Sequence, residues 1–138
     1  MKFSTVLYVD DVPPVLDFYR RAFGIEPSFV DLDVNLPGRG SEGRYQFASL
    51  NVTEGSLQCA THELGRLLMP GYARPATGQP SGVEIAFYAP DVSAAYDRAI
   101  EAGAHSVAAP KVMPWGQTVA YVRSIEGTFV GICSPLPS

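Results

Sequence analysis

The stretch that decides the fold is PWGQTVAYVRSIEGTFVGICSP, residues 114–135. Apolar and β-branched residues alternate with others on both sides of Glu126-Gly127, which is the pattern of two strands joined by a tight turn. A second pair, Glu54-Gly55, occurs in GRYQFASLNVTEGSLQCAT, residues 43–61, with the same kind of flanks. This recurrence predicts a chain built from two similar halves.

A second repeat lies upstream of each turn. STVLYVDDVPPVLDFYRRAFGI, residues 4–25, aligns with EIAFYAPDVSAAYDRAIEAGAH, residues 84–105. Each segment begins with strand alternation, passes through an aspartate and continues with helical spacing. Asp11 and Asp91 are predicted to cap the helices, and Gly24 and Gly103 to end them. Each half therefore reads as a strand, a helix and about three further strands.

These repeats divide the chain into a first module at residues 1–62 and a second at residues 82–138. Residues 63–81 between them are rich in proline and glycine, so we expect a linker there. Its length suggests that it also covers part of a module.

Composition narrows the classes of function. The chain has 138 residues, is 46% hydrophobic and 17% charged, and suits one globular domain. A net charge of −4 argues against a nucleic-acid partner, and the longest apolar runs are too short for a membrane span. The N-terminus enters a strand at once, without the pattern of a signal peptide. Two cysteines make no disulfide framework, so we expect a cytoplasmic protein.

The quoted motifs also resemble a known family. VLYVDDVPPVLDFYRRAFG, residues 6–24, together with WGQTVAYVRSIEGTFVGICSP, residues 115–135, is similar to the vicinal oxygen chelate superfamily of glyoxalase I, extradiol dioxygenases and bleomycin-resistance proteins. The resemblance runs from about residue 3 to residue 135. It implies an α+β fold with two tandem βαβββ modules, each forming a half-open β-barrel.

The resemblance also implies where a metal would bind. Enzymes of this family hold a divalent ion with side chains from the first and last strands of each module. The first-strand positions fall on Ser4 and Glu84. The last-strand positions fall on Gly131 and near Cys59, or on Gln58 if the register slips. Since Gly131 has no side chain and Ser4 is a poor ligand, we expect no metal, no cofactor and no catalytic residue.

A chain that keeps this fold but lacks the metal-binding side chains resembles the metal-free bleomycin-resistance branch. That branch implies a homodimer whose groove binds a small aromatic or cationic ligand. Trp115 would be an aromatic lid, Glu84 an acidic anchor, and Arg123 a partner of Glu84 or of an anionic ligand. Strand alternation adds further side chains on the cavity face. The candidate ligand-binding set is Ser4, Tyr8, Gln58, Glu84, Tyr88, Trp115, Tyr121 and Arg123.

Each interpretation has an alternative. Trp115 could pack on its own sheet edge, Glu84 could stay hydrated at a rim, and Arg123 could be a solvated arginine beside the turn. His62 and His105 are expected at the surface, and Cys59 and Cys133 as small packed side chains. The alternative functions are a metal-dependent lyase, isomerase or dioxygenase of the glyoxalase type, and an interaction module whose cavities are filled by its own side chains.

Overall fold

The strands form two four-stranded sheets in a computed structural model, which describes residues 1, 3–30, 46–76, 79 and 82–136. Sheet A has the order β1-β4-β3-β2, and its module runs β1 Thr5–Val9, α1 Val12–Phe23, β2 Pro27–Val30, β3 Phe47–Leu50 and β4 Leu57–Thr61. Sheet B has the order β5-β8-β7-β6, and its module runs β5 Glu84–Tyr88, α3 Val92–Glu101, β6 His105–Val112, β7 Thr118–Arg123 and β8 Phe129–Cys133. The predicted α+β fold of two βαβββ modules is confirmed.

In both modules the first strand pairs with the last one in parallel, and the remaining pairings are antiparallel. Val6 lies opposite Gln58 in sheet A, and Ala86 lies opposite Gly131 in sheet B. A parallel pair needs a crossover connection, and the helix and middle strands of each module provide it. The chain separates into two compact units, Met1–Arg20 with Gly24–Thr77 and Arg21–Phe23 with Gly78–Ser138.

Alternation along the strands gives each sheet one buried face. In sheet A, Leu7, Cys59 and Ala48 share a register row and are buried. In sheet B, α3 packs on β6, β7 and β8. The fully buried residues of that sheet are Ala120, Val122, Val130 and Ile132. The candidate ligand-binding side chains of the strands lie on the opposite face of each sheet.

The two predicted helix caps differ. The Asp91 carboxylate accepts a hydrogen bond from the Ala94 amide at 3.0 Å, as expected of a cap. Asp11 occupies the same position before α1 but makes no capping hydrogen bond with its side chain. The second and third residues of α1 are Pro13 and Pro14, which have no N–H to donate. The prediction that Asp11 caps the helix with its carboxylate was therefore wrong.

A short helix, α2 His62–Leu68, lies at the start of the segment predicted as a linker. Thr61 caps it, because its hydroxyl accepts a hydrogen bond from the Leu64 amide at 3.1 Å. The helix contacts β1 and β4. Gly65 and Pro70 obscured this helix in the sequence, since both residue types disfavour helical conformations.

The helices in the described part of the chain include none long and apolar enough to cross a bilayer.

The contrast between the caps is testable. We expect Asp91→Ala to lower the free energy of unfolding by about 1 kcal/mol, the usual cost of removing a capping carboxylate. Asp11→Ala is the matched control and should cost less than half as much, because the Asp11 side chain makes no capping hydrogen bond that the substitution could remove. Urea denaturation of the two variants measures both values. Equal losses would contradict the role given to the two prolines.

Candidate functional site

Sheet B presents a face turned away from α3, which we call the open face. Its rows follow from the strand register, and two of its edge residues, Glu84 and Ala86, are exposed. Tyr88 is 67% exposed, although it is aromatic. The rows across β5, β8 and β7 are Glu84–Phe129–Arg123, Ala86–Gly131–Tyr121 and Tyr88–Cys133–Val119. The open face is thus mainly apolar and aromatic, with opposite charges at the two sides of one row.

The Glu84 carboxylate lies over the bare backbone of Gly131. A Cβ atom at Gly131 would meet Glu84 Oε2 at 3.2 Å and Tyr121 Cε1 at 3.4 Å. Any larger residue at this position would therefore press on the carboxylate. The absent side chain of Gly131 provides the space in which Glu84 reaches the centre of the open face.

Burial and the negative charge of Glu84 both raise the pKa of two neighbouring groups, Tyr121 and Cys133. Burial raises the pKa of Tyr121, and the Glu84 carboxylate raises it further. Burial also raises the pKa of the Cys133 thiol, again with a contribution from Glu84. Both groups therefore stay protonated at neutral pH. The neutral thiol is a weaker nucleophile than the thiolate.

Arg123 lies at the far side of the same row as Glu84. Its Nε donates to the Gly127 carbonyl at 2.9 Å, and its guanidinium carbon is 5.0 Å from the centre of the Phe129 ring. The ion pairs of the described residues do not join Arg123 to Glu84. The suggested Glu84–Arg123 pair is therefore not formed, and Phe129 separates the two charges.

Trp115 lies in the turn between β6 and β7 and is 59% exposed. Its indole nitrogen donates to Gln117 Oε1 at 2.9 Å, and Gln117 in turn donates to the Ser134 carbonyl at 2.7 Å. This turn adjoins Thr118 at the start of β7, whereas the Glu84 row crosses β7 at Arg123. At about 3.4 Å per residue the two ends are about 17 Å apart. The turn that carries Trp115 and the backbone of Glu84 therefore lie at opposite ends of the sheet.

In sheet A, the register identifies Gln58 as the counterpart of Gly131. Gln58 lies opposite Val6, two residues after Ser4, just as Gly131 lies opposite Ala86, two residues after Glu84. The neighbouring Cys59 is buried on the other face. Ser4 is exposed just before β1.

Tyr8, on the same face of sheet A, is covered by the chain itself. The Tyr72 ring lies with its centre 5.0 Å from that of Tyr8. Tyr72 fits against α2 because residue 65 is glycine: a Cβ there would come within 2.9 Å of Tyr72 Cε1. The ring of Tyr72 therefore covers one side of Tyr8.

A hydrogen-bonded network holds Tyr72 in position. Its hydroxyl lies 2.6 Å from His62 Nδ1, and His62 Nε2 is 3.7 Å from Asp10 Oδ1. Arg74 binds both oxygens of Asp10, at 2.6 and 2.8 Å. Burial lowers the pKa of His62, while Asp10 partly opposes that shift. In its neutral form, His62 can thus accept a hydrogen bond from the Tyr72 hydroxyl at Nδ1 and direct its Nε2–H towards Asp10.

The expectation that His62 is a surface residue was wrong, because its side chain is only 12% exposed. His105 is exposed, as expected. The partners of His62, namely Tyr72, Arg74 and Asp10, could not be identified from the sequence. Their spacing along the chain matches no motif, and only the tertiary fold brings them together.

The comparison with protein families then identifies the family. The model of the Glyoxalase/Bleomycin resistance protein/Dioxygenase superfamily matches residues 3–130. The chain belongs to this superfamily.

Solved structures of the superfamily's fold are similar over almost the whole chain. A glyoxalase-related enzyme from Fulvimarina pelagi is 17% identical with a TM-score of 0.75, covering 98% of this chain and 88% of that one. A family enzyme from Burkholderia phytofirmans PsJN is 17% identical with a TM-score of 0.73, covering 95% of each chain. TioX from Micromonospora sp. ML1 is 19% identical with a TM-score of 0.69, covering 97% and 98%. At these identities the likeness establishes the fold only. A comparison with curated proteins gave no match.

The residues at the superfamily's metal positions do not fit a catalytic divalent ion. The four positions supply the Ser4 hydroxyl, the Gln58 amide, the Glu84 carboxylate and, at Gly131, no side chain. The space beside Gly131 is filled by Glu84 itself. Within the described ranges, no three His, Cys, Asp or Glu side chains gather where an ion could be held. We therefore derive no reaction step through a metal.

The His62 network predicts a pH dependence of stability. Since the folded pKa of His62 lies below its ordinary value of 6.5, the unfolded chain binds the proton more readily. The stabilisation is present above about pH 6.5 and is lost as the pH falls through the folded pKa. Urea denaturation across this range should show that loss in the native protein and in His105→Gln. His62→Gln should reduce it, and an unchanged pH profile in that variant would contradict the assignment.

Proposed function

We propose that this protein binds a small aromatic cation on the open face of sheet B and sequesters it without metal chemistry, as a homodimer of the bleomycin-resistance type. The observation that carries the proposal is the Glu84 carboxylate. It lies exposed over Gly131, forms no ion pair with another described residue, and is surrounded by apolar and aromatic side chains.

The charge of Glu84 favours a cation. A carboxylate in an exposed ion pair contributes little, because water competes for it. When a bound ligand excludes that water, a hydrogen bond to the charged group contributes about 1.5–3 kcal/mol. Glu84 therefore gains a strong partner only when a cationic ligand covers it.

The neighbours of Glu84 favour an aromatic ligand. Tyr121 and Phe129 lie half-buried in adjacent rows of the open face, and each presents a ring. Aromatic faces attract flat rings and delocalised cations. Tyr88 and Trp115 lie at the other end of the sheet, so we propose them as contacts for an extended ligand only.

Sheet A is the less suitable face for the same ligand. Tyr72 already stacks beside Tyr8 there, and Asp10 already pairs with Arg74. We therefore propose that Ser4, Tyr8 and Gln58 contribute less to binding than Glu84 and Tyr121.

The homodimer follows from the apolar character of the open face. Tyr88 on this face is 67% exposed, and Trp115 in the turn between β6 and β7 is 59% exposed. A second copy could cover these side chains while enclosing a ligand, since a stable interface needs about 1,600 Å² of buried surface. We expect light scattering to give the mass of two chains at micromolar concentration. A monodisperse monomer would contradict this part of the proposal.

The ligand class is tested with a matched pair of probes, N-methylacridinium, a flat cation, and acridine, which is neutral at mildly alkaline pH. We expect the cation to bind more tightly by calorimetric titration. Glu84→Gln keeps the shape of the side chain and removes its charge. It should therefore weaken binding of the cation roughly tenfold, or about 1.4 kcal/mol, and binding of acridine much less.

Two control variants accompany this experiment. Glu101→Gln removes an equal charge at an exposed position of α3, and Trp115→Ala removes the distant indole. Both should leave the affinity for N-methylacridinium within about twofold, since surface changes away from a site have small effects. Equal loss in Glu84→Gln and Glu101→Gln would show a general charge effect, and failure of the native protein to bind either probe would overturn the proposed function.

A further inference from the structure

The open face of sheet B carries a second charge that the binding of a simple cation leaves unused. Arg123 lies in the same register row as Glu84, with Phe129 on the strand between them. Adjacent strands are about 4.8 Å apart, so the two backbone positions are separated by roughly 10 Å. A carboxylate and a guanidinium thus flank one aromatic ring.

Neither charge neutralises the other. The ion pairs formed in the described part of the chain leave Glu84 and Arg123 unjoined. Arg123 instead uses its Nε on the Gly127 carbonyl and one Nη2 hydrogen on the Gln79 carbonyl, at 2.9 and 3.4 Å. A guanidinium has five N–H donors, and both of these contacts go to neutral carbonyl oxygens. Arg123 therefore keeps both its positive charge and donors for an anionic group.

Phe129 provides the surface between the charges. The Arg123 guanidinium lies over its ring, at 5.0 Å from the ring centre, which holds the positive charge against the face of that ring. On the other side, Glu84 is directed towards Gly131 and Tyr121. The two charged groups therefore diverge across an apolar centre and do not converge on one point.

We propose that the ligand of this site is zwitterionic, a flat aromatic molecule with a cationic group placed at Glu84 and an anionic group placed at Arg123. This inference rests on the proposed function and specifies its ligand. A purely cationic ligand pairs with Glu84 but is repelled by Arg123. A purely anionic ligand pairs with Arg123 but is repelled by Glu84. A ligand with both charges satisfies both residues, and its aromatic body lies on the apolar surface between the two charged groups.

The test uses two dyes that share one flat cationic ring system. Rhodamine B carries a carboxylate in addition to its cation, and rhodamine B ethyl ester carries only the cation. We expect the native protein to bind rhodamine B roughly tenfold more tightly than the ester, as measured by fluorescence anisotropy, because a hydrogen bond between charged groups is worth about that factor. The ratio of the two affinities is the readout.

Variants of Arg123 test whether this residue causes the preference for rhodamine B over its ester. Arg123→Gln should bring the ratio of the two affinities close to one, while Arg123→Lys, which keeps the charge, should retain part of the preference. Lys111→Gln is the matched control, because Lys111 is an exposed cation in the row of Val119, away from Glu84. It should leave the ratio unchanged. Arg123 also supports the turn at Gly127, so the Tm of its variants can fall. Loss of that support alone would weaken the binding of both dyes equally and leave the ratio unchanged.

The outcomes separate the two proposals. A native protein that binds the ester as tightly as rhodamine B, or an unchanged ratio in Arg123→Gln, overturns the zwitterionic ligand and leaves the cation site intact. Failure of the native protein to bind either dye or N-methylacridinium overturns the proposed function and this inference with it.

Discussion

The parallel pairing of the first and last strands in each module is the constraint on which the candidate site depends. It places a residue near the start of β5 beside a residue in the middle of β8, although almost fifty positions separate them in the chain. In this protein those residues are Glu84 and Gly131. The glycine leaves the carboxylate room to lie over the sheet. The same geometry that can collect metal ligands in this superfamily here exposes one isolated negative charge.

The two modules share a fold but differ in what covers their functional faces. In sheet A, Gly65 admits the Tyr72 ring beside Tyr8, and His62 and Asp10 hold the segment that carries it. In sheet B, the corresponding face keeps Glu84 and Ala86 exposed. The two modules thus repeat the fold but not the covering of this face, since Tyr72 packs on it in sheet A and Glu84 and Ala86 stay exposed in sheet B.

Much of the fold could be predicted from the sequence, because periodicity, paired turns and glycine positions are local signals. The failure of Asp11 as a cap was also predictable, since Pro13 and Pro14 cannot donate. The geometry of the candidate site was harder to predict from the sequence. The loss of a ligand at Gly131 could be inferred from the resemblance, but the position of the Glu84 carboxylate over it could not. The separation of Trp115 from Glu84 required the strand register, and the contact of His62 with Tyr72 required the tertiary fold.

The central claim is that ligand binding takes place on sheet B at Glu84 and Gly131. It is tested most directly by titrating ¹⁵N-labelled protein with N-methylacridinium and following the backbone amide resonances. The account predicts saturable shifts that are largest at Gly131, Ala86 and Tyr121, with small shifts at Tyr8 and Gln58. The largest shifts at Tyr8 and Gln58, or no saturable shift at Gly131, would contradict it.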